Sequence, residues 1–225
     1  MGELVASIAH EVNQPLAAIV TNSHAALRWL ERETPDFSEV VAALNRVHRD
    51  AVHAGNVITR IRNFLKRGGL QRKLVDIHTM LDSLVQMLRQ TLLETGTTVT
   101  VKIADELPDL VADQVQLQQV LLNLLVNSID AMRNQPSRPR SIAVTVRRDV
   151  KRPGILFSVQ DSGPGIPEDK RASIFDAFHS TKDDGLGMGL AISKSIVENH
   201  GGDLWLEFGG PAGACFVFTV PTREA

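Results

Sequence analysis

Val40, Leu44, Val47, Ala51, Ala54, Ile58, Ile61 and Leu65 are separated by alternating steps of four and three residues. An apolar stripe at that spacing can close only on other helices, because a repeat of 3.5 residues keeps one seam facing a neighbour over about four heptads. A looser stripe precedes it at Leu4, Ile8, Val12, Leu16, Ile19, Leu27 and Leu30. Between the two, "ETPDFSE" (33–39) supplies a Pro, an Asp and a Ser that reads as the N-cap of the second helix. The first 67 residues thus read as a helical hairpin. Two helices alone cannot bury both stripes, whereas a four-helix bundle formed by a dimer can. The first stripe starts at once, with no capping residue ahead of it, so the chain is expected to begin inside a longer helix.

"KRGGLQRK" (66–73) breaks the pattern, and 68–73 reads as a hinge. Beyond it the residues fit an α+β domain over 74–225, with helices on one face of a mixed sheet. Helices are expected at 77–94, 112–132 and 189–202, the last ended by a Gly pair. The β-branched run at 97–104 reads as a strand, 141–148 and 154–161 as a strand pair, and 202–210 with 213–221 as a closing hairpin. A net charge of −2, 4% aromatic residues and no Tyr argue against a nucleic-acid surface. The single Cys215 falls in an alternating strand, where it is expected to pack, and points to a reducing compartment. No apolar run approaches the roughly 20 residues of a membrane span, so no direct membrane contact is expected.

Two loops are rich in glycine. "DSGPGIP" (161–167) follows a strand and carries Asp161, Gly163 and Gly165; "DGLGMGLAIS" (184–193) carries Gly185, Gly187 and Gly189 and opens a helix. Glycines before a helix N-terminus let backbone N–H groups approach a phosphate, although ordinary loops carry the same residues. There is no G-K-[ST] for a Walker loop and no βαβ unit for a dinucleotide fingerprint. On the helix at 112–132, Gln119, Asn123 and Asn127 lie four apart and share one face. That line is either a solvated edge or a carboxamide pair serving Mg²⁺ and phosphate oxygens.

"SIAHEVNQPLAAI", "QVLLNLLVNSIDAM", "DSGPGIP", "IFDAFHSTK" and "GLGMGLAIS" follow one another in the order and spacing of the H, N, G1, F and G2 boxes of sensor histidine kinases. The chain resembles that family over essentially its whole length. The resemblance implies a dimerisation and histidine-phosphotransfer domain at 1–67, then an α/β sandwich ATP-binding domain of the gyrase, chaperone and mismatch-repair type. His10 matches the phospho-acceptor, and Glu11 the acidic neighbour that accepts the other ring N–H. Pro15, by lacking an N–H, frees the Glu11 carbonyl and is expected to loosen the helix just past His10. Asn127 matches the Mg²⁺ ligand and Asn123 a second contact to metal or phosphate. Asp161 matches the acceptor of the adenine amino group. Gly163 and Gly165 belong to its loop, and Gly185, Gly187 and Gly189 to the phosphate-approach turn. The segment from about 168 to 186 matches the mobile ATP lid, anchored by Phe175 and Phe178, with Lys182 able to reach the phosphates. "GGPAGACF" (209–216) is similar to the G3 region.

The resemblance further implies ATP and Mg²⁺ as cofactors, a homodimer through 1–67, a response-regulator receiver domain as partner, and an upstream sensor. A cytoplasmic place is expected, free or as the cytosolic part of a membrane-bound sensor. Two departures bear on mechanism. Hydrolysing relatives carry a Glu four residues before the metal Asn; here that residue is Asn123, a poor base, which favours phosphotransfer over the alternative of an ATP hydrolase, while intact His10, Glu11, Asn127 and Asp161 count against the other alternative, a non-catalytic ATP-binding scaffold. Many relatives place Thr or Asn four residues after the histidine, where it orients water against a phospho-aspartate; here that residue is Gln14, which is longer. The remaining histidines (His24, His48, His53, His78 and His200) are expected to be exposed or structural.

The unpartnered stripes make one prediction. A fragment of residues 1–67 should sediment as a helical dimer at micromolar concentration. A stable helical monomer would show that the hairpin buries its own seams.

Overall fold

The structure, a computed structural model, describes residues 2–65, 70–133, 139–150, 152–176, 188–210 and 213–222; the side chains of 2–13, 52, 53, 55–65 and 208 lie outside that description. The chain divides into two compact units, Met1–Gly68 and Gly69–Ala225.

The first unit is a hairpin of α1 (Gly2–Leu30) and α2 (Phe37–Leu65). The residue that starts α2 is Asp36 rather than the expected Ser38. Asp36 Oδ1 accepts from the N–H groups of Ser38 and Glu39 at 3.1 and 3.2 Å, and the Asp36 carbonyl takes the first helical bond from Val40. Ser38 instead donates its hydroxyl to the same Asp36 oxygen at 2.7 Å, which holds the carboxyl below its ordinary value. Where the helices touch, small residues let the backbones approach: Ala26, Ala43 and Ala54 are buried. Among the described residues a polar cross-link joins the two helices, with Asn22 donating to Asp50 and accepting from Arg46 Nε. The larger apolar residues remain outside. Leu16, Val20, Leu27, Val41 and Leu44 are each about half exposed, including the seam member Leu44. Pro15 is buried within α1, which runs through it as one helix.

The second unit contains β1 (Lys73–Leu74), α3 (Ile77–Thr95), β2 (Thr97–Ile103), β3 (Val111–Ala112), α4 (Gln114–Met132), β4 (Arg140–Arg148), β5 (Gly154–Asp161), α5 (Glu168–Arg171), α6 (Gly189–Asn199), β6 (Leu204–Gly210) and β7 (Gly213–Pro221). The large sheet has the order β2-β4-β5-β7-β6. β2 and β4 are parallel, and every other neighbour is antiparallel. Burial alternates along β4, while β5 and β7 are buried on both faces, with Leu156, Cys215 and Val217 packed on the second. Ile142, Val144 and Val146 of β4, Ile155, Phe157 and Val159 of β5, and Phe216, Phe218 and Val220 of β7 are buried, and the register aligns these three sets side by side. Phe157 and Phe218 stack across the register with ring centroids 4.7 Å apart. On this face α4 packs against α3, α6, β4 and β5, which explains its broad band of Leu117, Val120, Leu121, Leu124, Leu125 and Ile129. A helix with so many neighbours leaves few positions for polar residues.

Helix ends are fastened by side chains. Asp76 and Asp113 cap α3 and α4, each accepting from the N–H three residues on. Arg140 spans two C-termini, donating to the carbonyls of Thr95 and Arg133 at 2.6 and 2.9 Å.

Three sequence expectations shift. The helix expected from 112 begins at Gln114, because Val111–Ala112 form β3 and pair with β1. That pairing also takes Lys73, the last residue of the expected hinge, into a strand. The last helix ends at Asn199 rather than 202, and the Gly pair closes it as expected: Gly201, at φ +83°, donates its N–H to the Glu198 carbonyl and Gly202 donates to the Val197 carbonyl, while a Cβ on Gly202 would also lie 1.8 Å from the Thr219 carbonyl. Of the two roles expected for His200, exposed or structural, it takes the structural one and is buried. Its Nδ1 lies 2.8 Å from the Ile196 carbonyl and its Nε2 accepts from the Asp113 N–H at 3.1 Å, which selects the Nδ1–H tautomer. Asp113 in turn accepts from the Gln71 N–H. One histidine thus ties the C-terminus of α6 to the start of α4 and, through Asp113, to the residues that enter the unit. His200→Leu keeps the volume but cannot accept, so unfolding in urea should show a loss of about 1–3 kcal/mol for the stranded N–H. An unchanged midpoint would remove this role.

Candidate functional site

Asp161 ends β5 on the buried side of the strand, two residues beyond Val159, and is only 5% exposed. A carboxylate in such surroundings must gather donors. Its Oδ1 accepts from the N–H groups of Gly163 at 2.8 Å and Ala214 at 3.2 Å, and its Oδ2 from the Ser128 hydroxyl at 3.3 Å. Burial raises the Asp161 carboxyl above its ordinary value, and these three hydrogen bonds pull the other way. Among the described residues Oδ2 has only Ser128, so acceptor capacity remains for an N–H from a ligand.

The loop after Asp161 lies backbone to backbone against the β6–β7 turn. Gly165 has φ +78°, and a Cβ there would fall 1.9 Å from the Gly210 carbonyl oxygen. Gly213 has φ +123°, and its Cβ would fall 1.8 Å from the Asp161 carbonyl oxygen. Both the left-handed conformation and the approach require glycine. Gly163 sits so close to the carboxylate that a Cβ would lie 2.8 Å from Oδ1.

Asn123 and Asn127 emerge from α4 toward the first residue of α6. Both carboxamides lie 4.0 Å from the position of a Cβ on Gly189. The Asn123 amide donates to the Gly189 carbonyl and to Ser193 Oγ, each at 3.3 Å, while Ser193 donates to the same carbonyl at 2.9 Å. Asn123 thus fastens the start of α6 and keeps its own carbonyl oxygen available. Asn127 is half-buried and has no hydrogen bond to any other described residue. Two carboxamide oxygens beside a helix N-terminus suit a hard cation shared with phosphate oxygens.

His10 and Glu11 lie on α1, with side chains outside the described residues, and Gln14 is an exposed residue of that helix. Lys182, Gly185, Gly187, His179 and Phe178 also lie outside the described residues. The described start of the expected lid is α5 followed by turns to Asp176, and Phe175 lies edge-on to Phe216 with centroids 6.2 Å apart. Cys215 is buried, and burial together with Glu207 pushes its thiol up to about 11, so it stays protonated at neutral pH. Sequence reasoning passed over Ser128 and Ala214. A serine in the middle of a buried apolar helix was a usable signal for the first; the second acts through its backbone N–H and leaves no mark in the residue type.

Because the folded-state value of Asp161 is raised, its contribution to stability is full below the unfolded value and is lost as pH rises through the folded one. Asp161→Asn mimics the protonated group. Without nucleotide, its melting temperature should gain on that of the native protein as pH rises from about 4 to 7. A variant that loses ground over that range would contradict a raised value.

Residues 112–224 match the family described as histidine kinase-, DNA gyrase B- and HSP90-like ATPase, and residues 1–95 match the His kinase A phospho-acceptor domain. The chain is 41% identical over 221 residues to the sensor histidine kinase TmoS of Ectopseudomonas mendocina, covering 98% of this chain and 23% of that protein. It is 34% identical over 225 residues to the sensor protein FixL of Bradyrhizobium diazoefficiens, covering 100% of this chain and 44% of that protein. The crystal structure of full-length ShkA in complex with AMPPNP superposes with a TM-score of 0.70 at 26% identity, over 99% of this chain and 46% of that one. The chain spans less than half the length of these curated relatives. With its phospho-acceptor helices followed by an ATPase fold in which α4 meets Asp161 through Ser128 and Gly189 through Asn123, the chain belongs to the sensor histidine kinase family, of which it forms the catalytic core.

Proposed function

We propose that this chain is a Mg-ATP-dependent protein histidine autokinase that phosphorylates His10 and passes the phosphoryl group to an aspartate on a response-regulator receiver domain. The observation that carries the reading is the pairing of a buried, adenine-competent Asp161 with two carboxamides facing the helix start at Gly189. The AMPPNP held by the similar ShkA structure supports a nucleotide in this fold.

The roles follow from the chemistry of each residue. Asp161 Oδ2 accepts from the adenine amino group, which favours adenine over a base that offers a carbonyl at that position. Gly187 and Gly189 bring backbone N–H groups to the phosphates, and Lys182 supplies a point charge to the β- or γ-phosphate. Asn127 and Asn123 fit Mg²⁺ through their carbonyl oxygens, and the ion when bound neutralises charge on the triphosphate. Glu11 accepts one ring N–H of His10, so the other nitrogen carries the lone pair that attacks the γ-phosphorus in line as the bond to the β–γ bridging oxygen breaks and ADP leaves with that electron pair. Asn123, with its amide engaged at Gly189 and Ser193, offers no base for water, which keeps ATP for the histidine.

Residues 1–67 serve as the dimerisation and phosphotransfer domain, 68–73 as the hinge and 74–225 as the catalytic domain. The exposed apolar residues Leu16, Val20, Leu27, Val41 and Leu44 support a homodimer, since a second copy would bury them in a four-helix bundle. Among the described residues no helix is long and apolar enough to cross a membrane.

Incubation with γ-labelled ATP and Mg²⁺ should label the chain with an acid-labile, alkali-stable phosphate. His10→Gln should abolish the label and leave ATP affinity unchanged. Alkali-stable label on that variant would move the acceptor elsewhere, and release of inorganic phosphate without label would favour hydrolysis.

A further inference from the structure

Asp161 is not alone in joining the 161–167 loop to the β6–β7 turn. The carboxylate draws together two N–H groups, Gly163 from the loop and Ala214 from the start of β7. Arg171 does the converse with carbonyls. Its Nε donates to the Ile166 carbonyl at 3.0 Å, at the far end of the loop, and its Nη2 donates to the Gly209 carbonyl, at the far end of the turn. Between these two fastenings the backbones are in contact at Gly165 and Gly210. The guanidinium has no ion pair among the described residues, so its planar fork is committed to the two carbonyls. Arg171 is exposed, which makes a large part in core stability unnecessary. It closes α5, and four residues later Phe175 packs on Phe216 of β7, so the same short segment grips the turn's own strand.

We propose that Arg171 is a positioning residue for recognition of the nucleotide base. It holds the loop and the turn at the spacing at which Gly163 and Ala214 both reach Asp161 Oδ1, and so aims Oδ2 at the base. Without the outer fastening, the segments can separate at Gly165 and Gly210. The carboxylate then turns to follow whichever N–H remains, and its free oxygen leaves the line of the adenine amino group. The effect falls on the base rather than on the phosphates, whose proposed contacts are Asn123 and Asn127 of α4, Lys182, Gly187 and the start of α6. The proposal rests on the reading of Asp161 as the adenine acceptor.

The test compares ADP with IDP, which presents a carbonyl where ADP has its amino group, by calorimetry on the full chain with Mg²⁺. The native protein should prefer ADP. Arg171→Met should weaken ADP roughly five- to tenfold, as loss of a well-placed hydrogen bond does, and leave IDP nearly unchanged. Arg171→Lys, which keeps the charge but not the fork, should recover part of the preference. The melting temperature without nucleotide should stay close to the native value in both variants. Equal weakening of ADP and IDP, or native affinity for both, would overturn the role of Arg171. A native protein that does not distinguish ADP from IDP would overturn the reading of Asp161 and this proposal with it, whereas discrimination that is lost in Asp161→Asn and kept in Arg171→Met would overturn this proposal alone.

Discussion

The carboxylate of Asp161 is placed where an apolar residue would ordinarily close the sheet, and much of the second unit is arranged around that cost. Buried, it requires donors, and it takes them from three separate elements: the loop that follows β5, the start of β7 and the middle of α4. Each donor fixes the position of its element. The glycines at 163, 165 and 213 are consequences, since a Cβ at any of them would collide with the carboxylate, with Gly210 or with the Asp161 carbonyl. A residue that is expensive to bury thereby sets the geometry of a wall.

The opposite side of the site depends on α4. Its apolar band is held by α3, α6 and the sheet, so the few polar residues that break the band are fixed in direction. Ser128 meets Asp161, Asn123 meets Gly189, and Asn127 lies between them on the same helix with its carboxamide uncommitted among the described residues. The surroundings of Asp161 and the start of α6 are thus joined through a single helix. The first unit follows a different logic, in which alanines at the helix contact leave large apolar side chains outside.

A good part of this was legible in the residues. The four-three steps of α2, the β-branched run of β2 and the glycine-rich loop at 161–167 each carry a local physical signature, and these lie where those signatures put them. What escaped was decided by contacts distant in sequence. Ser38 and Asp36 are both good caps, and only the chain's entry into α2 selects Asp36. The strands β1 and β3 are too short to show alternation and exist because each pairs the other. His200 has no local signal, because its partner Asp113 lies 87 residues away. Arg171 reads as a surface charge on a short polar helix until its two carbonyl partners are known.

The central claim is that one carboxylate holds two segments in common. Amide proton shifts of Gly163 and Ala214, followed by NMR as pH is raised, test it directly. Both should move with a single shared midpoint that lies above the ordinary aspartate value of 3.8, because both report ionisation of the same buried group. Separate midpoints, or a shared one at or below that value, would show that the loop and the turn are held by something other than Asp161.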